Sequence, residues 1–184
     1  MSKKIIIITG KNGSGKDTAA EYLSSRIHYP VFSIADILRE MAKEKQIEPT
    51  RENLISINTE LAGERGNDAL AEELLTRLPE KSIVTGIRIP SHVTYLRSHG
   101  EVLIVAVEAD DALRFERAVL RGRVGDGDTL EQFLDMEEKE NSAPNPQRVH
   151  EMIGSAQFYV ANNDSLKVLY EKIDEILTKE NFIL

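Results

Sequence analysis

The sequence predicts an α/β domain built on a parallel β-sheet, and three observations carry that prediction. A run of consecutive β-branched residues, Ile5 to Ile8, opens the chain and suits a strand covered on both faces. A glycine-rich turn follows at once, and apolar residues at helical spacing follow the turn. Short apolar runs then alternate with amphipathic stretches along the rest of the chain, which is the rhythm of parallel βαβ units. At 184 residues, residues 1–184 are expected to form one domain, and the 41% hydrophobic content fits a globule.

Lys4 to Thr9 is the first predicted strand, ended by Gly10. From Lys16 the spacing of Ala19, Ala20, Leu23 and Ile27 predicts a helix, with Pro30 just past its end. "VFSI" reads as a second strand and 35–46 as a helix, with Ile34, Ile37, Leu38 and Met41 on one face. A helix is expected across 48–66, with Thr50 as its N-cap and Gly63 and Gly66 closing it. Asp68 to Leu78 reads as another, stopped by Pro79. "SIVTGI" is strand three, "HVTYLRSHG" a short helix ended by Gly100, and "EVLIVAVEA" strand four. Asp110 to Arg121 and Thr129 to Glu140 read as helices flanking the glycine-dense "GRVGDGDT", expected to be a mobile insertion, and "APNP" as a turn. "AQFYVANND" supplies a fifth strand, and Leu166, Leu169, Ile173 and Ile176 mark a last amphipathic helix.

The net charge of −8 disfavours nucleic acid and acidic membranes as partners, so an anionic ligand needs a local basic pocket. The absence of cysteine excludes disulfides and thiolate metal sites. The apolar run before Gly10 is too short for a secretory signal or a membrane span, so a cytoplasmic protein is expected, as monomer or homodimer. His28, His92, His99 and His150 show no ligand spacing, and "EEKE" reads as a solvated helix face.

Gly10 to Lys16, "GKNGSGK", matches G-x-x-x-x-G-K, but Asp17 stands where Ser or Thr completes the pattern. The stretch follows a strand and opens a helix, as a phosphate cradle must. Glycines let backbone N–H groups converge on phosphate oxygens, and the helix N-terminus adds partial positive charge. Asn12, Gly13, Ser14, Gly15, Lys16, Asp17 and Thr18 are therefore candidate cofactor-binding residues, with Lys16 reaching the β/γ oxygens. The alternative is a glycine turn with no ligand. Asp17 is expected beside a magnesium ion or turned into the first helical turn; with Thr18, the nearest hydroxyl, it is a candidate metal ligand.

"GKNGSGKDT" resembles the "GxxGxGKGT" loop of adenylate kinases, in which the residue after lysine is also not a hydroxyl. "FSIADILRE" resembles their "ISTGDxLR", with Ser33, Asp36, Leu38 and Arg39 on matching positions, which implies that Arg39 holds an acceptor phosphate. "IVTGIRIP" resembles the "hhhDGxxR" segment of nucleoside monophosphate kinases and implies the same for Arg88; Thr85 replaces the usual aspartate. "RFERAVLRGR" resembles the segment leading into the kinase lid, implying that Arg117, Arg121 and Arg123 neutralise the transferring group. The C-terminal "AQFYVANNDSLKVLYEKIDEIL" resembles the ending of dephospho-CoA kinases and related archaeal-type nucleotide kinases, with Asn163 near the adenine. Together these imply a three-layer, doubly wound P-loop nucleotide-kinase fold, five parallel strands in the order 2-3-1-4-5. They also imply an acceptor-binding helical segment at 34–78 and a short lid at 121–145.

Several of these residues also have plain readings. Arg39 among Glu40, Lys43 and Glu44 fits a solvated surface, and Arg114, Arg117, Arg121 and Arg123 fit a charged helix face with Glu116 and Asp110 as partners. Asp126 and Asp128 suit turn positions and an N-cap, or lid groups that meet a ribose. Arg88 stands apart, at the C-terminal end of a strand, where open α/β sheets bind ligands.

The activity implied by the resemblance is phosphoryl transfer from ATP with Mg2+ to a small nucleotide acceptor, which needs positioning and positive charge more than covalent chemistry. Lys16, Arg121 and Arg123 would act on the transferring group, and Arg39 and Arg88 on the acceptor. A nucleoside or deoxynucleoside monophosphate is favoured, because no counterpart of the dephospho-CoA acceptor motifs follows strand three. Dephospho-CoA would present a ribose hydroxyl, for which Asp36 is the candidate base. A nucleotide-binding switch or weak NTPase is the alternative of another class, since Asp17 and Thr85 alter both standard magnesium positions. Asp17 in the loop is expected to recover part of what Thr85 lacks.

Overall fold

The structure is a computed structural model that describes residues 2–122, 128–142 and 148–179. Its strands are β1 (Lys3–Thr9), β2 (Val31–Ser33), β3 (Lys81–Thr85), β4 (Gly100–Glu108) and β5 (Phe158–Ala161). They form one parallel sheet in the order β2-β3-β1-β4-β5, the order the resemblance implied. The helices are α1 (Lys16–Ile27), α2 (Ile34–Glu44), α3 (Arg51–Arg65), α4 (Ala69–Arg77), α5 (Pro90–Arg97), α6 (Asp111–Arg121), α7 (Leu130–Ser142), α8 (Val149–Gly154) and α9 (Leu166–Lys179).

The pleat of β1 explains the two helical layers. Ile6 and Ile8 face one side and pack with Ala19, Ala20 and Leu23 of α1 and Leu169 and Ile173 of α9. Ile5 and Ile7 face the other and pack with Ile37, Leu74, Val93, Leu96 and Met152, from α2, α4, α5 and α8. A strand between two apolar layers has no polar face to show, hence the unbroken isoleucine run. Full burial of each such side chain contributes about 1.5–3 kcal/mol.

Helix boundaries follow local chemistry. Thr50 caps α3 as expected, its Oγ1 accepting from the Asn53 N–H at 3.3 Å. Gly63, expected to close that helix, lies inside it, and Gly66 is the C-cap at φ +94°. A glycine in an exposed turn costs about 1 kcal/mol relative to alanine, less than is needed to end a helix. Pro90 occupies the first turn of α5, so that helix starts before His92. Thr129, rather than Asp128, caps α7 by accepting from the Gln132 N–H at 3.2 Å. Helix α8 was not expected: six residues are too few for a readable period, although Val149, Met152 and Ile153 are buried. "APNP", Arg123 and Asp126 lie outside the described residues. Among the described residues, no helix is long and apolar enough to cross a membrane.

The register sets where a ligand would meet the sheet. Ile8 stands opposite Thr85 on β3 and Val105 on β4, so the turns leaving β1 and β3 emerge side by side. The first carries Gly10 to Lys16; the second carries Gly86, Ile87 and Arg88.

Candidate functional site

The glycine turn is shaped by the protein around it. Gly13 has φ +77° and Gly15 φ +92°, both in the region that favours glycine. A Cβ at Gly13 would overlap the Arg114 carbonyl on α6, and one at Gly15 would overlap the Asn162 side-chain amide just past β5.

Three successive carbonyls of the turn are held from that same side. Arg114 Nη1 donates to the Asn12 carbonyl at 2.8 Å, Arg117 Nη1 to the Gly13 carbonyl at 3.4 Å, and Asn162 Nδ2 to the Ser14 carbonyl at 2.8 Å. In a planar trans peptide the N–H points opposite to the carbonyl, so the Gly13 and Gly15 N–H groups turn towards the inside of the loop. The Ser14 N–H closes the turn onto the Lys11 carbonyl at 3.2 Å. Helix α1 starts behind this turn with no side-chain cap, so its first-turn N–H groups face the same hollow. The Ser14 hydroxyl is buried without a hydrogen-bond partner among the described residues.

Arg114 is fully buried. Its Nη2 donates to Asp111 Oδ1 at 2.6 Å and to Glu137 Oε2 at 2.9 Å, its Nη1 to Glu137 Oε1 at 2.6 Å, and its Nε to Asp111 Oδ1 at 3.3 Å. With the Asn12 carbonyl, all five guanidinium N–H groups are engaged. The Phe133 ring lies 5.3 Å from its Cζ. The Arg114 hydrogen bond holds the Asp111 carboxyl below the usual carboxylate range. Glu116 and Asp110, the partners expected for this arginine face, are therefore not those of Arg114. Asp110 pairs with Asn163, exchanging two bonds of 2.9 Å.

Cations converge at the hollow. Lys16 is 8% exposed, and its ammonium is held below the ordinary lysine range by burial, with Arg88 and Arg121 adding repulsion and Asp17 opposing them. Asp17 Oδ2 lies 3.4 Å from Lys16 Nζ. Arg121 Nη2 donates to Asn12 Oδ1 at 3.0 Å, and the Arg88 carbonyl accepts from the Arg148 N–H at 2.9 Å. Lys16, Arg88, Arg121 and Asp17 are thus brought together. Asp36 and Arg39 form an exposed pair with each other on α2, 2.5 Å apart.

The donor set at the loop suits a divalent ion that keeps phosphate and water among its ligands. Asp17 offers one half-exposed carboxylate, Thr18 a half-buried hydroxyl, and no group of three or more His, Asp or Glu among the described residues forms a protein-only metal cage.

Sequence reasoning missed two residues. Asn162 is the asparagine that reaches the loop, while its neighbour Asn163 binds Asp110. Arg114 was read as part of a charged face. The available signal was the spacing of Arg114, Arg117 and Arg121, which lines one helical face; the contacts of that face with Asn12 and Gly13 require the fold.

A parallel five-stranded sheet in this order, with a glycine cradle between the first strand and first helix, defines a P-loop domain of the kinase fold. The chain belongs to the AAA domain family, whose model matches residues 6–141, and to the UPF0200 proteins. It is 31% identical over 179 residues to UPF0200 protein MJ1399 of Methanocaldococcus jannaschii, a match covering 94% of this chain and 88% of that one. It is 30% identical over 184 residues to UPF0200 protein PYRAB09750 of Pyrococcus abyssi, covering 95% and 96%. Among solved structures, it is similar to a shikimate kinase from Acinetobacter baumannii in complex with shikimate, at TM-score 0.63 and 14% identity over 96% of this chain and 92% of that one. It is also similar to TT1252 from Thermus thermophilus, at TM-score 0.62 and 23% identity over 97% and 98%. These two likenesses are of fold.

Proposed function

We propose that this protein transfers a phosphoryl group from ATP, with Mg2+, to a small nucleotide, a nucleoside or deoxynucleoside monophosphate. One observation carries the reading: the charges of Arg88 and Arg121 bear on Lys16 at a backbone cradle in a chain of net charge −8. Concentrating positive charge there suits a transition state whose charge spreads over phosphoryl oxygens. Asp17 and Thr18 would hold the magnesium, whose positive charge would offset that of the phosphates. Lys16 is assigned to the β/γ oxygens, and Arg121, which donates to Asn12 Oδ1, is assigned with Arg123 to the transferring group. Asn163, tied to Asp110, belongs to the nucleoside end of the ATP site. That a shikimate kinase shares the fold supports a small acceptor.

Arg88 and Arg39 are assigned to the acceptor. An incoming phosphate would replace Asp36 as the partner of Arg39, and an acceptor hydroxyl using Asp36 as base would likewise break that pair. The lack of a counterpart of the dephospho-CoA acceptor motifs after strand three favours a monophosphate over the ribose hydroxyl of dephospho-CoA.

The test is ADP formation from ATP with a panel of ribo- and deoxynucleoside monophosphates and dephospho-CoA, in wild type and Lys16→Ala. Strict dependence on a monophosphate, lost in Lys16→Ala, supports the reading. Activity with dephospho-CoA alone assigns the hydroxyl acceptor, and hydrolysis indifferent to every acceptor marks an NTPase instead.

A further inference from the structure

Helix α7 packs chiefly on α6, and two of its side chains meet at one guanidinium. Phe133, buried, places its ring against Arg114, and Glu137 forms a bidentate pair with it. The same Arg114 Nη1 that donates to Glu137 also donates to the Asn12 carbonyl. We propose that Glu137 is a positioning residue for the phosphate loop, acting through Arg114, and that anion binding in the loop and docking of α7 are coupled through this link. The proposal rests on the loop being an anion site, as argued above.

The physics is that of a saturated buried cation. With every guanidinium N–H engaged, Arg114 has one orientation that leaves none unpaired, and that orientation holds the Asn12 carbonyl outward. The peptide so held is the one whose N–H, on Gly13, faces the hollow. With Gln at 137 one carboxylate oxygen becomes an amide NH2, so one buried guanidinium N–H faces a donor in place of its acceptor, and the side chain gains by turning towards water. The Asn12–Gly13 peptide is then free to rotate away from an anion. Because coupling is reciprocal, an anion that fixes this peptide also steadies Arg114 and hence α7.

The experiment uses Glu137→Gln and the double variant Arg114→Met/Glu137→Leu, which replaces the pair by apolar side chains. Amide hydrogen exchange is read without ligand and with ADP, and ADP and pyrophosphate binding are measured by calorimetry. In Glu137→Gln, amides of residues 12–16 and of α7 are expected to exchange faster than wild type while α9 does not change. ADP should bind roughly 5–10-fold more weakly, at the low end of typical coupling. The double variant should regain thermal stability without regaining affinity, which a purely structural pair would not do. Wild-type loop exchange and wild-type affinity in a folded Glu137→Gln protein would overturn the proposal, as would recovery of affinity with stability in the double variant. If wild type binds neither ADP nor pyrophosphate, the proposed function fails, and loop exchange in the ligand-free variants still decides the coupling.

Discussion

The side-chain amide of Asn162 occupies the space that a Cβ on Gly15 would need, and from there it donates to the Ser14 carbonyl over 2.8 Å. The last strand of the sheet thereby holds the first loop of the chain. Gly15→Ala should displace this amide and force a left-handed backbone costing about 1–2 kcal/mol. The expected outcome is loss of ADP binding by calorimetry with a lowered melting temperature.

The two adjacent asparagines should separate cleanly. Asn162→Ala removes a buried hydrogen bond and leaves the Ser14 carbonyl without it, a cost of about 1–3 kcal/mol in denaturant unfolding, with weaker ADP binding. Asn163→Ala breaks an exposed pair with Asp110 and should change stability by no more than about 0.5 kcal/mol.

Anion affinity should depend on pH through Lys16. Burial, with Arg88 and Arg121 nearby, favours the neutral amine, so the ammonium loses its proton at a lower pH than an ordinary lysine. Pyrophosphate affinity should therefore fall as pH rises from neutral into the alkaline range. Lys16→Arg, which keeps its charge, should flatten that fall in a calorimetric titration.

Stability should depend on pH through His92. Burial lowers its pKa below the ordinary 6.5, against the hydrogen bond that its Nε2–H donates to the Asn67 carbonyl and the charge of Asp68. Between its folded and unfolded values the unfolded chain binds more protons. Stability is therefore complete above 6.5 and is lost as pH falls through the folded value. Denaturant midpoints across this window should show the decline, and His92→Gln should reduce it.

Arg88→Ala should lower kcat/KM for the acceptor by roughly 100-fold, the scale set by removing one donor to developing charge. Binding of ADP alone should change less. Equal losses in both measurements would move Arg88 from the acceptor to the nucleotide.

Much of this arrangement was legible because local chemistry and global role coincide. The isoleucines of β1, the Thr50 cap and the glycine turn each announce themselves within a few residues. Helix α8 and the inner position of Gly63 were not legible, since a six-residue helix shows no period and glycine is a weak stop.

The sequence by itself determined the strand and helix alternation, the glycine cradle and its lysine, because periodicity and backbone conformational preference act over short distances. Only the tertiary structure decided what holds the cradle in shape. Asn12 and Gly13 meet Arg114 and Arg117 on α6, Ser14 meets Asn162, and Arg114 meets Glu137 on α7. These partners lie more than a hundred residues from the loop for α6 and Asn162, and their pairing is set by the placing of β4 beside β1 and of β5 beside β4. A buried guanidinium reads in sequence like any surface arginine; the packing that removes its water is what makes it a support for the loop.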